Sequence, residues 1–419
     1  MTVQATSYLG INGRNDSALE PRGFQGTKRT EIELNLVEEI DEETGEIITY
    51  QVTDKVKKIY RTPQQNRAER YALKSVVNVI FPKSQTAKCY RLKIPRQSVQ
   101  ILKAPDYNKA HYSGLTRCSS VWWCPLCAAK ISERRRAELV SAVAVVKAMG
   151  WQVLLMTLTI PHGLGDDVKL ILDKMLNAYR KMTTSRAGLA LKAMLGIEGT
   201  IRGLEVTDGE NGFHPHLHVL VFAQPTFTVN SFQAGYLSLW QDACVKAGLP
   251  RPSDERGLKV DDGAKAEKYV TKWGLEEEMT KGHIKTSKSK NGMTPWDMLR
   301  DVLKNDSERS RARFYIYAMA FKGRRQLVWS KGLKVRLGVI ETTDEELNAI
   351  EEEHASVLAE LTDKDWQAVL WARCESSLLD IAENNQKDIP DFLKALKRHY
   401  REAKRKKESV HKLQITSNK

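Results

Sequence analysis

The clearest alternation of polar and apolar positions in the chain lies in residues 213–222, where three histidines alternate with other residues before an apolar run. In a β-strand, successive side chains point to opposite faces, so these histidines share one face and the apolar side chains share the other. The three are His214, His216 and His218. Imidazoles two residues apart on a strand can bind one divalent cation. The pattern therefore predicts a strand with a metal-binding face; the alternative is an ordinary half-exposed strand face.

Other apolar patterns predict strands and helices that are interleaved along the chain. Strands are predicted at residues 151–160, 199–206, 313–320 and 325–329. Helices are predicted at residues 64–81, 128–148, 166–183, 231–247 and 264–279. A polar lead of about 30 residues has too little apolar surface to order itself, and a short hairpin is predicted at residues 31–52. The interleaving favours an α+β fold, with an antiparallel sheet flanked by helices.

The C-terminal region has the composition of helices. Thr343 begins a capping box and predicts a helix that extends to Leu361, Thr362 begins the next one, and Pro390 marks the start of a third. We therefore expect four segments: a flexible N-terminal segment with a hairpin (1–60), a basic region with a cysteine segment (61–150), a core that contains the histidine strand (151–340) and a helical C-terminal region (341–419).

Composition narrows the functional classes. The 419 residues carry a net charge of +14, which favours polyanions and, most simply, nucleic acid. Six cysteines in a chain of this length do not resemble a secreted disulfide framework, and a reducing cytoplasm fits better. No segment approaches the roughly 18 consecutive apolar residues of a membrane span. The sequence thus predicts a soluble, cytoplasmic protein with no membrane partner.

A cysteine segment precedes the first predicted buried strand. Cys124 and Cys127 lie in a Cys-Pro-Leu-Cys turn that can hold two thiolates on one zinc ion, and Cys118 is close enough in sequence to be a third ligand. The fourth ligand must come from elsewhere, with His111 and Cys89 as candidates. The prediction is a structural Zn²⁺ site; the alternative is three reduced thiols in a buried turn.

An acidic residue is predicted to join the histidines. If residues 199–222 form a hairpin centred near Gly209 and Glu210, Glu205 lies opposite Pro215 or His216. Two imidazoles and one carboxylate leave open positions on Mg²⁺ or Mn²⁺, as binding a substrate phosphate requires. His214, beside the turn, is the most doubtful ligand of the three histidines.

A third group of residues follows about fifty positions later. Asp261 or Asp262 can cap a helix on which Tyr269 and Lys272 share one face. A tyrosine hydroxyl can attack phosphorus, and a nearby ammonium group can hold the phosphate. The alternative is an ordinary helix, in which this spacing is common.

Basic residues are concentrated in two places. The predicted helix after the cysteine segment carries Arg134, Arg135 and Arg136, and the last helix ends in Lys404, Arg405, Lys406 and Lys407. This density of one sign is suited to phosphate contacts, so both groups are predicted to bind DNA.

In order along the chain, these pieces resemble the three motifs of HUH endonucleases. The motifs are Leu155-Met-Thr-Leu-Thr-Ile160, Glu205 with His216-Leu-His218-Val-Leu-Val221, and Tyr269-Val-Thr-Lys272. Within that superfamily the chain looks most like the plasmid rolling-circle replication initiators, which often carry a Cys-Pro-x-Cys segment ahead of the first motif. Residues 325–333 also resemble the stretch after their catalytic core. The resemblance covers residues 110–335.

The resemblance implies a nicking and joining reaction on one strand of plasmid origin DNA. A metal held by His216, His218 and Glu205 would polarise the scissile phosphate. Tyr269 would attack, leaving a 5′-phosphotyrosine and a 3′-OH primer, while Lys272 steadies the phosphate. The motif offers one tyrosine, so a second transfer would need a carboxylate to activate water, for which Glu267 is the candidate.

The same resemblance implies partners and leaves alternatives open. The origin would be recognised as duplex and cut as single strand, with a host helicase, polymerase and single-strand binding protein acting afterwards. A transposase or mobilisation relaxase would use the same chemistry. A non-catalytic, zinc-containing DNA-binding regulator is the alternative from another class.

Overall fold

The computed structural model describes residues 36–40, 47–51, 62–103, 109–271, 292–349 and 355–417, and the polar lead predicted for residues 1–30 lies outside them. The chain divides into two compact units. Unit 1 contains the described residues up to Cys118 and those from Ala349 onward, and unit 2 runs continuously from Ser119 to Asn348. Unit 1 is thus built from two parts of the chain that are far apart in sequence.

The described residues form the following strands and helices, each type numbered in chain order. The strands are β1 (Leu36–Ile40), β2 (Ile47–Gln51), β3 (Val99–Lys103), β4 (Ala110–Ser113), β5 (Gln152–Leu158), β6 (Ile197–Gly209), β7 (Gly212–Ala223), β8 (Leu258–Asp261), β9 (Leu327–Trp329) and β10 (Ser356–Leu361). The helices are α1 (Pro63–Ile80), α2 (Gln85–Lys88), α3 (Pro125–Ala148), α4 (Val168–Thr184), α5 (Arg186–Met194), α6 (Val229–Lys246), α7 (Gly263–Thr271), α8 (Pro295–Asn305), α9 (Glu308–Phe321), α10 (Leu333–Arg336), α11 (Asp344–Ala349), α12 (Asp363–Ala372), α13 (Glu375–Asn384) and α14 (Ile389–Ser417).

Unit 2 is organised around a five-stranded antiparallel sheet with the strand order β8-β5-β7-β6-β9. The first strand in sequence, β5, is buried along most of its length, as a continuous apolar run predicts. Leu155 and Phe222 on one sheet face pack in a core with Leu139 of α3 and Val270 of α7. The two helices α3 and α7 therefore cover the face on which the even-numbered residues of β7 lie.

Unit 1 contains a three-stranded antiparallel sheet with the order β10-β3-β4. Its core includes Ile101 of β3, Tyr112 of β4, and Trp366 and Leu378 from the helices after β10. The Tyr112 hydroxyl donates to the Glu375 carbonyl oxygen at 2.8 Å, and the rings of Tyr112 and Trp366 meet edge to face at 5.1 Å. Residues from both parts of the chain thus share one core.

A buried ion-pair group joins the two parts of unit 1. Arg67 of α1 donates to both oxygens of Glu383 at 2.6 and 2.8 Å and also pairs with Asp380, both acids lying on α13. The three side chains are 8–16% exposed. These carboxylates raise the pKa of the Arg67 guanidinium although burial lowers it. The interaction fixes α1 on α13.

We expect Arg67→Ala to destabilise unit 1 by about 3 kcal/mol, because it leaves two carboxylates partly desolvated without their partner. Urea unfolding followed by circular dichroism measures the loss. Lys93→Ala is the matched control: it removes the exposed pair of Lys93 with Asp363 and should cost less than about 1 kcal/mol. Equal losses for the two variants would contradict a structural role for the buried group.

The structure confirms the α+β class, with antiparallel sheets, flanking helices and a helical C-terminal region. It also confirms the capping box at Thr343 and the helix start at Thr362. Two predicted elements were wrong. Residues 313–320 belong to helix α9, in which Phe314, Tyr317 and Phe321 are buried at helical spacing. The helix predicted to reach Leu361 ends at Ala349, and residues 356–361 pair with β3 as strand β10. No helix of the described part is long and apolar enough to cross a membrane.

Candidate functional site

The site lies on the β6–β7 hairpin at the centre of the unit 2 sheet. Gly209 pairs with Gly212 across the turn, and Glu205 pairs directly with His216, as the sequence predicted. Gly212 has a φ of +87°, and a Cβ there would come within 3.0 Å of the Gly163 carbonyl oxygen. A glycine is therefore required where the hairpin turn meets the loop after β5.

Three side chains of this hairpin form a group that can hold a metal ion. Glu205 Oε2 lies 3.5 Å from His216 Nε2 and 3.6 Å from His218 Nε2. One ligand atom from each residue lies within 4.8 Å of the other two. Two imidazole nitrogens and one carboxylate oxygen suit Mn²⁺ or Mg²⁺ with open positions for substrate. The predicted ligands Glu205, His216 and His218 therefore come together.

The Nδ1 atoms of His216 and His218 each lie within hydrogen-bond distance of a neighbouring group. His218 Nδ1 is 3.0 Å from the Thr157 hydroxyl of β5, and His216 Nδ1 is 3.2 Å from the His214 carbonyl oxygen. A carbonyl oxygen only accepts, so His216 Nδ1 is the donor in this contact, and Nε2 is the ring nitrogen that faces Glu205. Holding the second ring nitrogen in this way orients imidazole ligands before a metal arrives. The arrangement of Glu205, His216 and His218 therefore fits a bound divalent cation.

Thr157 was not predicted as a site residue, although it is a polar position in the otherwise apolar run of β5. It pairs with His218 across the two strands. We expect Thr157→Val to weaken Mn²⁺ binding by about tenfold, because the His218 ring loses the hydroxyl that orients it. Isothermal titration calorimetry measures the change. Thr157→Ser should restore most of the affinity, and equal affinity in the valine variant would contradict a positioning role.

The electrostatics of the site favour a charged Glu205. Burial alone would raise the pKa of its carboxyl group, but the hydrogen bond from His216 and the charges of both histidines outweigh burial and lower the pKa to about 2. The hydrogen bond from Tyr269 acts in the same direction. A bound cation would favour the carboxylate for the same reason. Glu205 is thus available as an anionic ligand throughout the neutral range.

Tyr269 reaches the same carboxylate from helix α7. Its hydroxyl donates to Glu205 Oε1 at 2.9 Å, and its ring lies 4.7 Å from the His218 ring. The helix starts as predicted, with Asp262 Oδ1 accepting from the Lys265 amide at 3.2 Å. The tyrosine hydroxyl and the metal-binding group therefore share Glu205. Lys272 lies outside the described residues.

Glu267 does not share this position. It forms an ion pair with Lys147 of α3. Two residues along a helix correspond to a rotation of about 200°, so Glu267 and Tyr269 point to different sides of α7. The geometry does not support the predicted role of Glu267 beside the tyrosine.

His214 belongs to a second contact at the edge of the site. Its Nδ1 is 3.2 Å from His162 Nδ1, and its ring stacks on His216 at 5.2 Å. Burial, with the charges of His216 and His162, lowers the pKa of His214 to about 4, so the ring is neutral near pH 7. His214 is not part of the group with Glu205, and His162 was not predicted from the sequence.

The cysteine segment spans the boundary between the two units. Cys118 belongs to unit 1, whereas Cys124 and Cys127 belong to unit 2, where Cys124 is the N-cap residue of α3 and Cys127 is buried in its first turn. The Cys118 amide donates to Cys89 Sγ at 3.3 Å. Of the two fourth ligands considered, Cys89 is therefore the one in contact with Cys118, whereas His111 lies on β4. Zinc binding by the cysteine segment stays a prediction.

The arginines predicted to bind DNA on α3 are engaged within unit 2. Arg134 donates to the Leu347 carbonyl oxygen, and Arg135 pairs with Glu138 and Asp344 at 2.9 and 2.8 Å. Arg136 pairs with Glu133 one turn earlier. Arg134 and Arg135 therefore attach α3 to residues 344–347, whereas the ion pair of Arg136 lies within α3. DNA binding by these arginines stays a prediction. On α14, Lys404 and Arg405 are exposed, and the side chains of Lys406 and Lys407 lie outside the described part.

Comparisons with known proteins agree with this geometry. The model of a replication protein family matches residues 114–376, which is more than half of the chain. A Rep protein of Streptomyces lividans is 25% identical over 54% of this chain and 64% of its own length. A Rep protein of Lentilactobacillus hilgardii is 30% identical over 31% of this chain and 44% of its own. A neomycin resistance protein of Streptomyces cyanogenus is 28% identical over 26% of this chain and 30% of its own length.

The chain thus spans less than two thirds of the length of these curated relatives. No solved structure matches it significantly. The family match includes β5, the β6–β7 hairpin and α7, which together carry Glu205, the two histidines and Tyr269. On this match, the chain belongs to the replication protein (Rep) family.

Proposed function

We propose that this protein is a plasmid replication initiator of the HUH type, which nicks one strand of origin DNA and later rejoins it. Tyr269 is the nucleophile, and Glu205, His216 and His218 hold the cation that assists it. The observation that carries the proposal is the shared carboxylate: one oxygen of Glu205 accepts from the Tyr269 hydroxyl at 2.9 Å, and the other lies 3.5–3.6 Å from both histidines.

The residues of this site have distinct tasks in the proposed reaction. Glu205 orients the Tyr269 hydroxyl through its hydrogen bond. The tyrosine oxygen loses its proton and bonds to phosphorus, the bond from phosphorus to the 3′ oxygen breaks, and that oxygen takes up a proton and leaves as a 3′-OH. The products are a 5′-phosphotyrosine and a free 3′ end. Rejoining is the reverse step, in which a 3′-OH attacks the phosphotyrosine.

Mg²⁺ or Mn²⁺ bound by Glu205, His216 and His218 would supply Lewis-acid polarisation of the scissile phosphate. Thr157 and the His214 carbonyl hold the two imidazoles in their ligating orientation. Lys272, three residues after Tyr269 in sequence, is proposed to steady the phosphate. A structural Zn²⁺ bound by the cysteine segment would stabilise the fold and take no part in the chemistry.

The proposed products fit rolling-circle replication. A free 3′-OH can prime a polymerase, so a host polymerase, helicase and single-strand binding protein would act after the nick. A transposase or relaxase would use the same tyrosine chemistry, but the match to a replication protein family favours initiation. A non-catalytic DNA-binding regulator would not require a tyrosine hydroxyl beside a metal-binding carboxylate.

The test is an adduct assay with single-stranded oligonucleotides that tile the replicon carrying the gene. Purified protein is incubated with each oligonucleotide and Mn²⁺, and products are separated on denaturing gels. The proposal predicts one oligonucleotide that gives a covalent protein–DNA species and a shorter fragment with a 3′-OH, both abolished by EDTA. DNA binding without any adduct across the whole tiling would favour the regulator and contradict the proposal.

A further inference from the structure

The long helix α14 has two different sides. Ile389, Leu393 and Leu396 are buried in the unit 1 core, and Tyr400 packs against the same cluster. At 100° per residue these positions form one stripe along the helix. This side attaches α14 to unit 1 and leaves the opposite side for solvent.

The opposite side carries four exposed cations, which we call the α14 basic row: Lys394, Arg398, Arg401 and Arg405. Their spacing of four, three and four residues keeps them in line over about 16 Å. Together with Asp391 and Glu402 they line an open groove of about 510 Å³. The row is centred about 140° around the helix from the apolar stripe, so its charges are presented away from the core.

Two cations of the row, Lys394 and Arg398, differ from two paired cations of unit 1. Lys397, on the same helix but nearer the core, pairs with Asp365 at 2.7 Å, and Arg67 is held by two carboxylates. Within the described ranges, by contrast, Lys394 and Arg398 form no ion pair. Lys394 and Arg398 are therefore available to an external polyanion.

We propose that the α14 basic row binds the phosphate backbone of duplex DNA, as a surface separate from the nicking site. A straight α-helix about 10–12 Å wide can lie along or enter a B-DNA major groove, which is about 12 Å wide. Surfaces for single strands combine cations with aromatic side chains that stack on bases. The row has no such ring, since Phe392 and Tyr400 pack against the core. The inference rests on the proposed function only in taking DNA as the substrate.

The test compares the full-length protein with a variant in which all four cations of the row are replaced by glutamine. Binding to a labelled 30-bp duplex of mixed sequence is measured by fluorescence anisotropy at several salt concentrations. Loss of about four phosphate contacts should reduce the slope of log K against log salt by about 3 to 4. The matched control replaces four exposed lysines of unit 2 by glutamine, at Lys169, Lys181, Lys246 and Lys304.

We expect the control to keep the wild-type slope and the row variant to show the reduced slope. Adduct formation on single-stranded DNA should be unchanged in both variants. Equal slopes for the row variant and the control would overturn the proposal. The proposal would also be overturned if the row variant lost affinity only for a 30-nucleotide single strand, or only for vesicles rich in phosphatidylserine. A double variant, Lys394→Gln with Arg398→Gln, should reduce the slope by about 2 and serves if the quadruple variant unfolds. Absence of any adduct from wild-type protein would instead count against the nicking site alone.

Discussion

The Tyr269→Phe variant is expected to form no covalent adduct with single-stranded DNA. The substitution removes the one oxygen that would bond to phosphorus and leaves the ring, which packs beside His218 at 4.7 Å. Loss of a nucleophile costs several orders of magnitude in rate, here on the order of 10⁴-fold or more. DNA binding should change little, because the phosphate-binding groups remain. Denaturing gels measure the adduct, and anisotropy measures binding.

The control for this substitution is Tyr315→Phe, which removes a hydroxyl from a tyrosine of the same unit that is 49% exposed on α9. It should form the adduct at the wild-type rate. Thermal unfolding of both variants shows whether the fold is kept. An adduct that survives Tyr269→Phe would assign the nucleophile to another residue.

The second large effect is expected for the metal group. His216→Ala and His218→Ala each remove one of three ligands, so Mn²⁺ affinity should fall by more than about 100-fold, beyond the loss seen when only supporting groups are changed. Cleavage at moderate Mn²⁺ should fall in parallel, because the scissile phosphate is no longer polarised. Titration calorimetry and the nicking assay measure the two quantities independently.

The strand itself supplies the control. His214→Ala removes an imidazole from the same face of β7, but the backbone carbonyl that holds His216 Nδ1 remains. Its Mn²⁺ affinity should stay within a few-fold of wild type. If His214→Ala loses as much affinity as the other two variants, the ion is held by all three histidines. Undiminished cleavage by the His216 and His218 variants would leave the metal group without a catalytic role.

The sequence predicted the centre of this site because its determinants are local. Alternation along β7 places His216 and His218 on one face, and the turn between Gly209 and Gly212 fixes the register that brings Glu205 opposite His216. The helix that carries Tyr269 was predicted from the same kind of signal, with Asp261 or Asp262 as its cap, and Asp262 has that place in the structure. The alternation of side chains along a strand, the residues of a turn and the cap of a helix can each be recognised in a short stretch of sequence.

The parts of the fold and of the site that the sequence did not predict depend on contacts between residues far apart in the chain. Strand β10 pairs with β3, about 250 residues earlier in the chain, and no local pattern indicates such a partner. The basic residues of α3 looked like a DNA surface, yet Arg135 is held by Asp344, far along the chain. Likewise Thr157 is a site residue only because β5 lies beside β7. Charge density alone does not distinguish an internal ion pair from a phosphate contact.

The most direct test of the central claim is tandem mass spectrometry of the trapped protein–oligonucleotide adduct after digestion with trypsin and nuclease. Cleavage after Lys268 and Lys272 gives the short peptide Tyr269-Val-Thr-Lys272. The account predicts that this peptide carries a nucleotide linked through its 5′ phosphate to the tyrosine oxygen. A nucleotide on any other residue would contradict it.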